Sequence, residues 1–157
     1  MERRPNDTAA SAASRELLVQ LLEAEHCSCV IRNGDTVRLF RRPGVRDLFD
    51  LLHTEPELLA GAFVADRIVG KGAAALMILG GVRELRAATV SEAALELLRP
   101  SGVALTCDTV VPYIVNRAGT GCCPVEMRCR DCRTAEECLP RIEEFLEEMK
   151  KTQTVLK

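Results

Sequence analysis

The sequence has no tryptophan, one tyrosine and four phenylalanines, so it offers few aromatic anchors for a large protein interface. It also has no long apolar run, because the longest, Ala73 to Leu79, is far too short to span a bilayer. Basic residues are not in excess, since 21 of them stand against 23 acidic ones for a formal charge of -2. These deficits argue against a membrane-embedded protein and against bulk binding to nucleic acid.

The N-terminal segment, Met1 to Ser14, is polar and alanine-rich and lacks the apolar core of a signal peptide, which predicts a cytoplasmic protein. The eight cysteines are therefore interpreted as reduced thiols, metal ligands or redox groups rather than disulfides. A chain of 157 residues, 47% hydrophobic and 28% charged, suits one globular domain. We expect a disordered lead over residues 1–13, the domain over 14–151 and a disordered tail over 152–157. A homodimer through an edge strand or the final helix stays open.

The apolar periodicity predicts an α/β fold. Ser14 is expected to cap a first helix, and Asn33-Gly34 to turn an antiparallel hairpin. Short helices and buried strands then alternate until Cys107, which implies parallel strands joined by helical crossovers. The expected architecture is a three-layer α/β/α arrangement, with a mixed sheet of about five strands and helices on both faces. An acidic amphipathic helix over Pro140 to Lys151 closes the chain.

Four stretches carry a resemblance to a known family: Val64 to Gly72 (VADRIVGKG), Gly80 to Glu84 (GGVRE), Ser91-Glu92, and Asn116 to Glu126 (NRAGTGCCPVE). They are similar to a bacterial family of unknown function assigned to the cytidine-deaminase-like fold. The order of helices and strands from Ser14 to Cys107 also resembles that fold. The resemblance implies the fold over nearly the whole chain and implies no known activity.

The zinc ligands of that fold are missing from their expected places. Zinc deaminases hold the metal with His or Cys at one helix start and with Cys at the next, beside a proton-transferring Glu. The two helix starts here, Pro43 to Arg46 and Val69 to Ala73, contain no His, no Cys and no suitably placed Glu. His53-Thr54-Glu55 with Cys129 to Cys132 fits the pattern superficially, but several elements separate its halves. The chain is therefore predicted not to be a zinc deaminase, and no cofactor is expected.

Open α/β sheets usually bind ligands beyond the carboxyl ends of their strands, where helix N-termini present free N–H groups. Lys71 between two glycines at such a helix start favours a small anionic ligand, such as a nucleotide, although the P-loop spacing is missing. The predicted ligand-binding residues are Asp66, Gly70, Lys71, Gly72, Ser91, Glu92, Asn116, Arg117, Thr120 and Cys123. Simpler interpretations stay open, in which the glycines ease packing, Lys71 is solvated and Ser91 only caps a helix.

The cysteines support two further hypotheses. Cys123 could be a catalytic nucleophile or sulfur carrier, with Glu126 or Asp66 moving protons, although no histidine lies nearby in sequence and a structural thiol is simpler. Four thiols could instead hold zinc or an iron-sulfur cluster in a regulatory or redox protein, namely Cys123, Cys129, Cys132 and Cys138. A single Cys-x-x-Cys is weak support for such a site.

Overall fold

The structure, a computed structural model, describes residues 5–42, 44–116 and 118–156. Its elements in chain order are α1 (Pro5–Ala24), β1 (Cys29–Asn33), β2 (Thr36–Phe40), α2 (Arg46–Thr54), α3 (Pro56–Leu59), β3 (Phe63–Val69), α4 (Lys71–Gly80), β4 (Glu84–Ser91), α5 (Glu92–Leu98), β5 (Ala104–Val111), α6 (Pro124–Arg128) and α7 (Ala135–Leu156). A single 3-10 turn, Arg99–Ser101, follows α5.

In the described part of the chain the strands form one five-stranded sheet in the order β2-β1-β3-β4-β5. Strand β1 is antiparallel to both of its neighbours, and β3, β4 and β5 are parallel to one another. Gly34 has a φ of 59°, which the tight turn between β1 and β2 requires. The predicted mixed sheet, with its N-terminal hairpin and its parallel strands, is confirmed.

Helices cover the sheet on both faces, as predicted. On one face, Leu18 and Leu22 of α1 pack against Val30 and Ala65. On the other face, α2, α4, α5 and α7 contribute to the larger core cluster. Helix α4 is apolar nearly all round, and it is buried along most of its length between the sheet and the outer helices. Its first turn therefore lies inside the protein, next to the end of β3.

The apolar runs of the sequence predict strands over Ala62 to Ala65 and Val103 to Thr106, but β3 and β5 continue to Val69 and Val111. Their second halves carry polar residues such as Asp66 and Thr109, which interrupt the apolar pattern that marks a buried strand. The sheet consequently brings more polar side chains to its carboxyl edge than the sequence indicated.

The terminal helices also differ from the prediction. Helix α1 begins at Pro5, inside the segment that we expected to be a disordered lead, and the alanines of this segment have the highest intrinsic helix propensity. Helix α7 begins before Pro140 and runs to Leu156, through most of the expected tail. Residues 1–4 and 157 lie outside the described part of the chain. None of the described helices combines the length and hydrophobicity that crossing a bilayer requires.

Candidate functional site

A cavity of about 740 Å³ lies at the carboxyl end of β3. Its walls come from the starts of β1, α2 and α4, from the segment that leads into α6, and from α7. Most of the lining is apolar, including Ile31, Phe40, Leu48, Leu51, Ile114, Val115, Phe145, Leu146 and Met149. A largely apolar cavity with a few polar groups is the usual form of a small-molecule site.

Arg46 is a cation on the wall of this cavity at the first turn of α2. The helix begins after Val45 with no side-chain cap, so its first N–H groups are not used by a capping side chain. Its neighbour Arg42 is neutralised, because Nε donates to Oδ1 of Asp47 at 2.8 Å and the guanidinium also pairs with Asp50. Arg46, which is half-buried, has no hydrogen bond or ion pair among the residues that the structure describes.

Asp66 is an acidic residue on the wall of the same cavity. It lies opposite Cys29 in the antiparallel register of β1 and β3, and its Oδ1 accepts a hydrogen bond from Ile68 N at 3.3 Å. Burial raises the pKa of Asp66 from 3.8 to about 7, although the N–H groups of Ile68 and Arg67 and the Cys29 thiol oppose the rise. The guanidinium of Arg67 is not available to Asp66, since it donates to the carbonyls of Cys27 and Leu22. Asp66 has no ion pair within the described residues.

Glu126, in α6, occupies the helix start that the sequence assigned to an external anion. Only 6% of this residue is exposed. Its Oε1 accepts hydrogen bonds from Lys71 N at 3.1 Å and from the Ser91 hydroxyl, and its Oε2 accepts one from Ile114 N at 2.5 Å. A carboxylate at the N-terminus of α4 is stabilised by the free N–H groups and by the helix dipole. The chain therefore supplies its own anion at this position.

The structure also changes the role predicted for Lys71. Its side chain is buried and does not line the cavity; the ammonium donates to the carbonyls of Arg130 and Cys132. Lys71 thus fixes the turn after α6 and is not positioned to bind a ligand in the cavity. Local sequence could not show this role of Lys71, because the two carbonyls that accept from its ammonium lie far along the chain.

The other predicted ligand residues divide into two groups. Four of them line the cavity in addition to Asp66, namely Gly70, Gly72, Asn116 and Cys123. Ser91 is the N-cap of α5, where its hydroxyl accepts from Ala94 N at 3.1 Å, and neither Glu92 nor Thr120 reaches the cavity. Arg117 lies outside the described residues.

Gly72 serves packing as well as the cavity. A Cβ at this position would collide with the Val125 side chain, so the glycine lets α6 approach the start of α4 closely.

Several cavity residues were not found by sequence reasoning. The charged ones are Arg42, Arg46, Asp47 and Arg67, and Cys29 lies beside Asp66. An arginine in the first turn of an amphipathic helix has the same appearance in sequence whether it faces solvent or a cavity. In the sequence, Phe145 and Met149 of α7 are indicated only as part of the apolar face of an amphipathic helix. No local signal shows that this face closes a cavity on distant strands.

The C-terminal cysteines are part of the core. Cys129 and Cys138 are fully buried, and a hydrogen bond between their thiols lowers the pKa of Cys129 and raises that of Cys138. Cys123 lies instead on the cavity wall. Among the described residues, no three His, Cys, Asp or Glu side chains are arranged to hold a metal ion. The metal hypothesis for these four cysteines therefore gains no support from the geometry.

The zinc of a deaminase would need ligands at the starts of α2 and α4. The start of α2 presents Gly44, Val45 and Arg46, and the start of α4 presents Gly70, Lys71 and Gly72. These side chains contain no thiolate, imidazole or carboxylate, which are the groups that zinc requires. The residues present do not fit a catalytic zinc.

Residues 17–146 match a protein family described as TM1506, a domain of unknown function (DUF1893). The chain belongs to the DUF1893 family. The crystal structure of a DUF1893 family protein (TM1506) from Thermotoga maritima is similar to this structure, with a TM-score of 0.74. The two chains are 20% identical, and the match covers 91% of this chain and 92% of the other. No curated protein matches the chain.

At 20% identity, the likeness of the two DUF1893 structures shows a shared fold and does not transfer a ligand or an activity. The family match includes the cavity elements from β1 to most of α7. Arg46 and Asp66, the two charged cavity residues that we single out, both lie within the matched DUF1893 domain.

Proposed function

We propose that this DUF1893 protein is a non-deaminase member of the cytidine-deaminase-like fold that binds a small organic anion in the cavity. The element order from α1 to β5 supports this fold assignment. The lack of metal-binding side chains at the starts of α2 and α4 supports a role other than zinc-dependent deamination.

The observation that carries the proposal is the guanidinium of Arg46, which lines a largely apolar cavity and has no partner among the described residues. A cation that is partly removed from water loses hydration energy, and an anion in the cavity would compensate for that loss. Arginine also binds carboxylate and phosphate groups in a bidentate geometry. A volume of about 740 Å³ accommodates a molecule of nucleotide size or smaller. The residue that we propose to bind the anion is therefore Arg46, whereas the sequence indicated Lys71.

We expect a thermal-shift screen of nucleotides, phosphorylated metabolites and aromatic carboxylates to identify at least one stabilising ligand. Arg46→Gln should lower the affinity for that ligand by about tenfold or more, which corresponds to a loss of about 1.4 kcal/mol from a charge-assisted contact. The affinities are measured by isothermal titration calorimetry.

Arg99→Gln is the matched control, because Arg99 is an exposed arginine in the 3-10 turn away from the cavity. It should leave the affinity unchanged. If no anion binds the wild-type protein, or if both variants bind equally well, the proposal is wrong.

A second candidate function is a cysteine-dependent enzyme, which is favoured by the position of Cys123 on the cavity wall. Glu126 is not available as its proton acceptor, since both of its oxygens already accept hydrogen bonds. Asp66 lines the same cavity and forms no ion pair with the described residues.

We expect iodoacetamide at about pH 7 to alkylate Cys123 no faster than an ordinary exposed thiol, because no histidine is near it in sequence to activate it. Peptide mass spectrometry of the wild-type protein and of Cys122→Ser and Cys123→Ser follows each thiol separately. A rate at Cys123 well above that of a model thiol would favour the enzyme over the binding protein.

A further inference from the structure

Most of the charged side chains that line the cavity have ion-pair or hydrogen-bond partners within the protein. Arg42 pairs with Asp47, Arg67 donates to backbone carbonyls, and Glu126 accepts from three donors. Within the described residues there are two exceptions: Arg46 on α2 has no hydrogen bond or ion pair, and Asp66 on β3 accepts only from the Arg67 and Ile68 N–H groups and the Cys29 thiol, with no ion pair.

These two exceptions carry opposite charges and do not pair with each other, although they line one cavity. Coulomb attraction strengthens when water is excluded. Two opposite charges that form no ion pair are therefore stabilised best by a molecule that lies between them and carries a group for each. An anion alone would satisfy Arg46 and leave Asp66 unpaired.

We propose that the ligand is bipolar: an anionic group binds Arg46, an ammonium or another N–H donor binds Asp66, and an apolar or aromatic body lies between these two ends. This inference rests on the proposed function, since it keeps the anion on Arg46, and it adds the donor end and the body.

The surroundings of Asp66 leave room for such a donor. Its contacts are the N–H groups of Arg67 and Ile68 and the thiol of Cys29, so the carboxylate has acceptor capacity that these neighbours do not use. The carboxylate of Asp47, which also acts on Cys29, is occupied by Arg42. A ligand ammonium would thus find Asp66 as its partner.

The apolar body is indicated by the rest of the wall. Phe40 comes from β2, Phe145 and Met149 come from α7, and Cys29 and Cys123 add polarisable sulfur. Sulfur and aromatic edges make favourable contacts with rings. We therefore expect the body to be flat and apolar.

Three small molecules separate the two ends of the ligand. Para-(aminomethyl)phenylacetate carries both charges, para-ethylphenylacetate keeps only the carboxylate, and para-ethylbenzylamine keeps only the amine. Binding to the full chain is measured by calorimetry at about pH 8, and the series is repeated with benzoate and phenylpropionate spacers because the span of the ligand sets the fit. We expect the bipolar compound of at least one length to bind about tenfold more tightly than its ethyl counterpart. In Asp66→Asn this preference should disappear while binding of the carboxylate compound persists.

The outcomes distinguish the two proposals. If the carboxylates bind through Arg46 but no amine-bearing compound is preferred at any length, the bipolar ligand is wrong and the anion site stands. If the amines bind through Asp66 without needing a carboxylate or Arg46, the anion site is wrong and the bipolar ligand fails with it. If no compound of any length binds, the bipolar ligand is overturned, and the wider anion screen decides the anion site. A preference that survives in Asp66→Asn also overturns the inference, and Asp35→Asn, an exposed turn residue, is the matched control.

Discussion

Replacing Glu126 with alanine is expected to destabilise the fold by about 3–5 kcal/mol. The substitution leaves the N–H groups of Lys71 and Ile114 and the Ser91 hydroxyl without their acceptor, in a place where only 6% of the glutamate is exposed. Hydrogen bonds to a charged acceptor are worth about 1.5–3 kcal/mol each, and buried donors that lose their partner add a desolvation cost. The free energy of unfolding by urea measures the effect.

Glu147→Ala is the matched control, because Glu147 is an exposed glutamate of α7, and we expect it to change the stability by no more than about 0.5 kcal/mol. Glu126→Gln should lie between the two variants, since its amide oxygen still accepts while its NH₂ group meets an N–H donor. Hydrogen exchange should also become faster at Ile114 and Cys123, because Ile114 is held by Glu126 and its carbonyl accepts from Cys123 N. A Glu126→Ala protein as stable as the wild type would show that the carboxylate does not hold these elements together.

Glu126 shows which part of the sheet edge local sequence patterns reveal and which part they do not. Periodicity and turn residues determine where helices and strands form, so the hairpin, the alternation and the start of α4 were all found from local patterns. Two glycines and a lysine at a helix start indicate an anion site, and in the structure the Glu126 carboxylate lies at this position. Which anion occupies the site is decided by a contact between residues far apart in sequence, 71 and 126, and no local pattern contains that contact.

Arg46 and Asp66 differ in how far local sequence patterns reveal them. Asp66 was predicted because a residue that follows the apolar run of a buried strand is expected at the carboxyl edge. In the structure β3 continues to Val69, and Asp66 lies within the strand on the cavity wall. Arg46 was not predicted as a ligand residue, because what distinguishes it is the lack of a partner among the described residues. The sequence does not show whether Asp47 pairs with Arg42 or with Arg46. The sequence therefore reveals where chemistry is possible, and the pairing of charges in three dimensions determines which groups remain available.

Asp66→Asn is expected to stabilise the protein at alkaline pH and to have little effect at acidic pH. The pKa of Asp66 is raised in the folded state from 3.8 to about 7, so the folded protein holds this proton more tightly than the unfolded chain does. Stability contributed by this group therefore falls as the pH rises from about 4 to about 7, and the cost is constant above that range. The pKa difference corresponds to about 4 kcal/mol, and because Asp66 is only partly buried we expect an effect of about 2–4 kcal/mol.

Urea unfolding at about pH 4.5 and about pH 8 measures this effect, with Asp35→Asn as an exposed control that should follow the wild type at both values. The Cys29 thiol does not complicate the comparison, because burial and the nearby Asp66 and Asp47 raise its pKa well above the ordinary value and keep it protonated. If Asp66→Asn and the wild type differ by the same amount at both pH values, burial does not perturb Asp66 and the cavity is wetter than its apolar lining indicates. If the gain appears only at high pH, the protein keeps a carboxylate at a cost to its own stability. Asp66 accepts from two backbone N–H groups and a thiol of the chain, and we expect its remaining acceptor capacity to serve a molecule that binds the cavity.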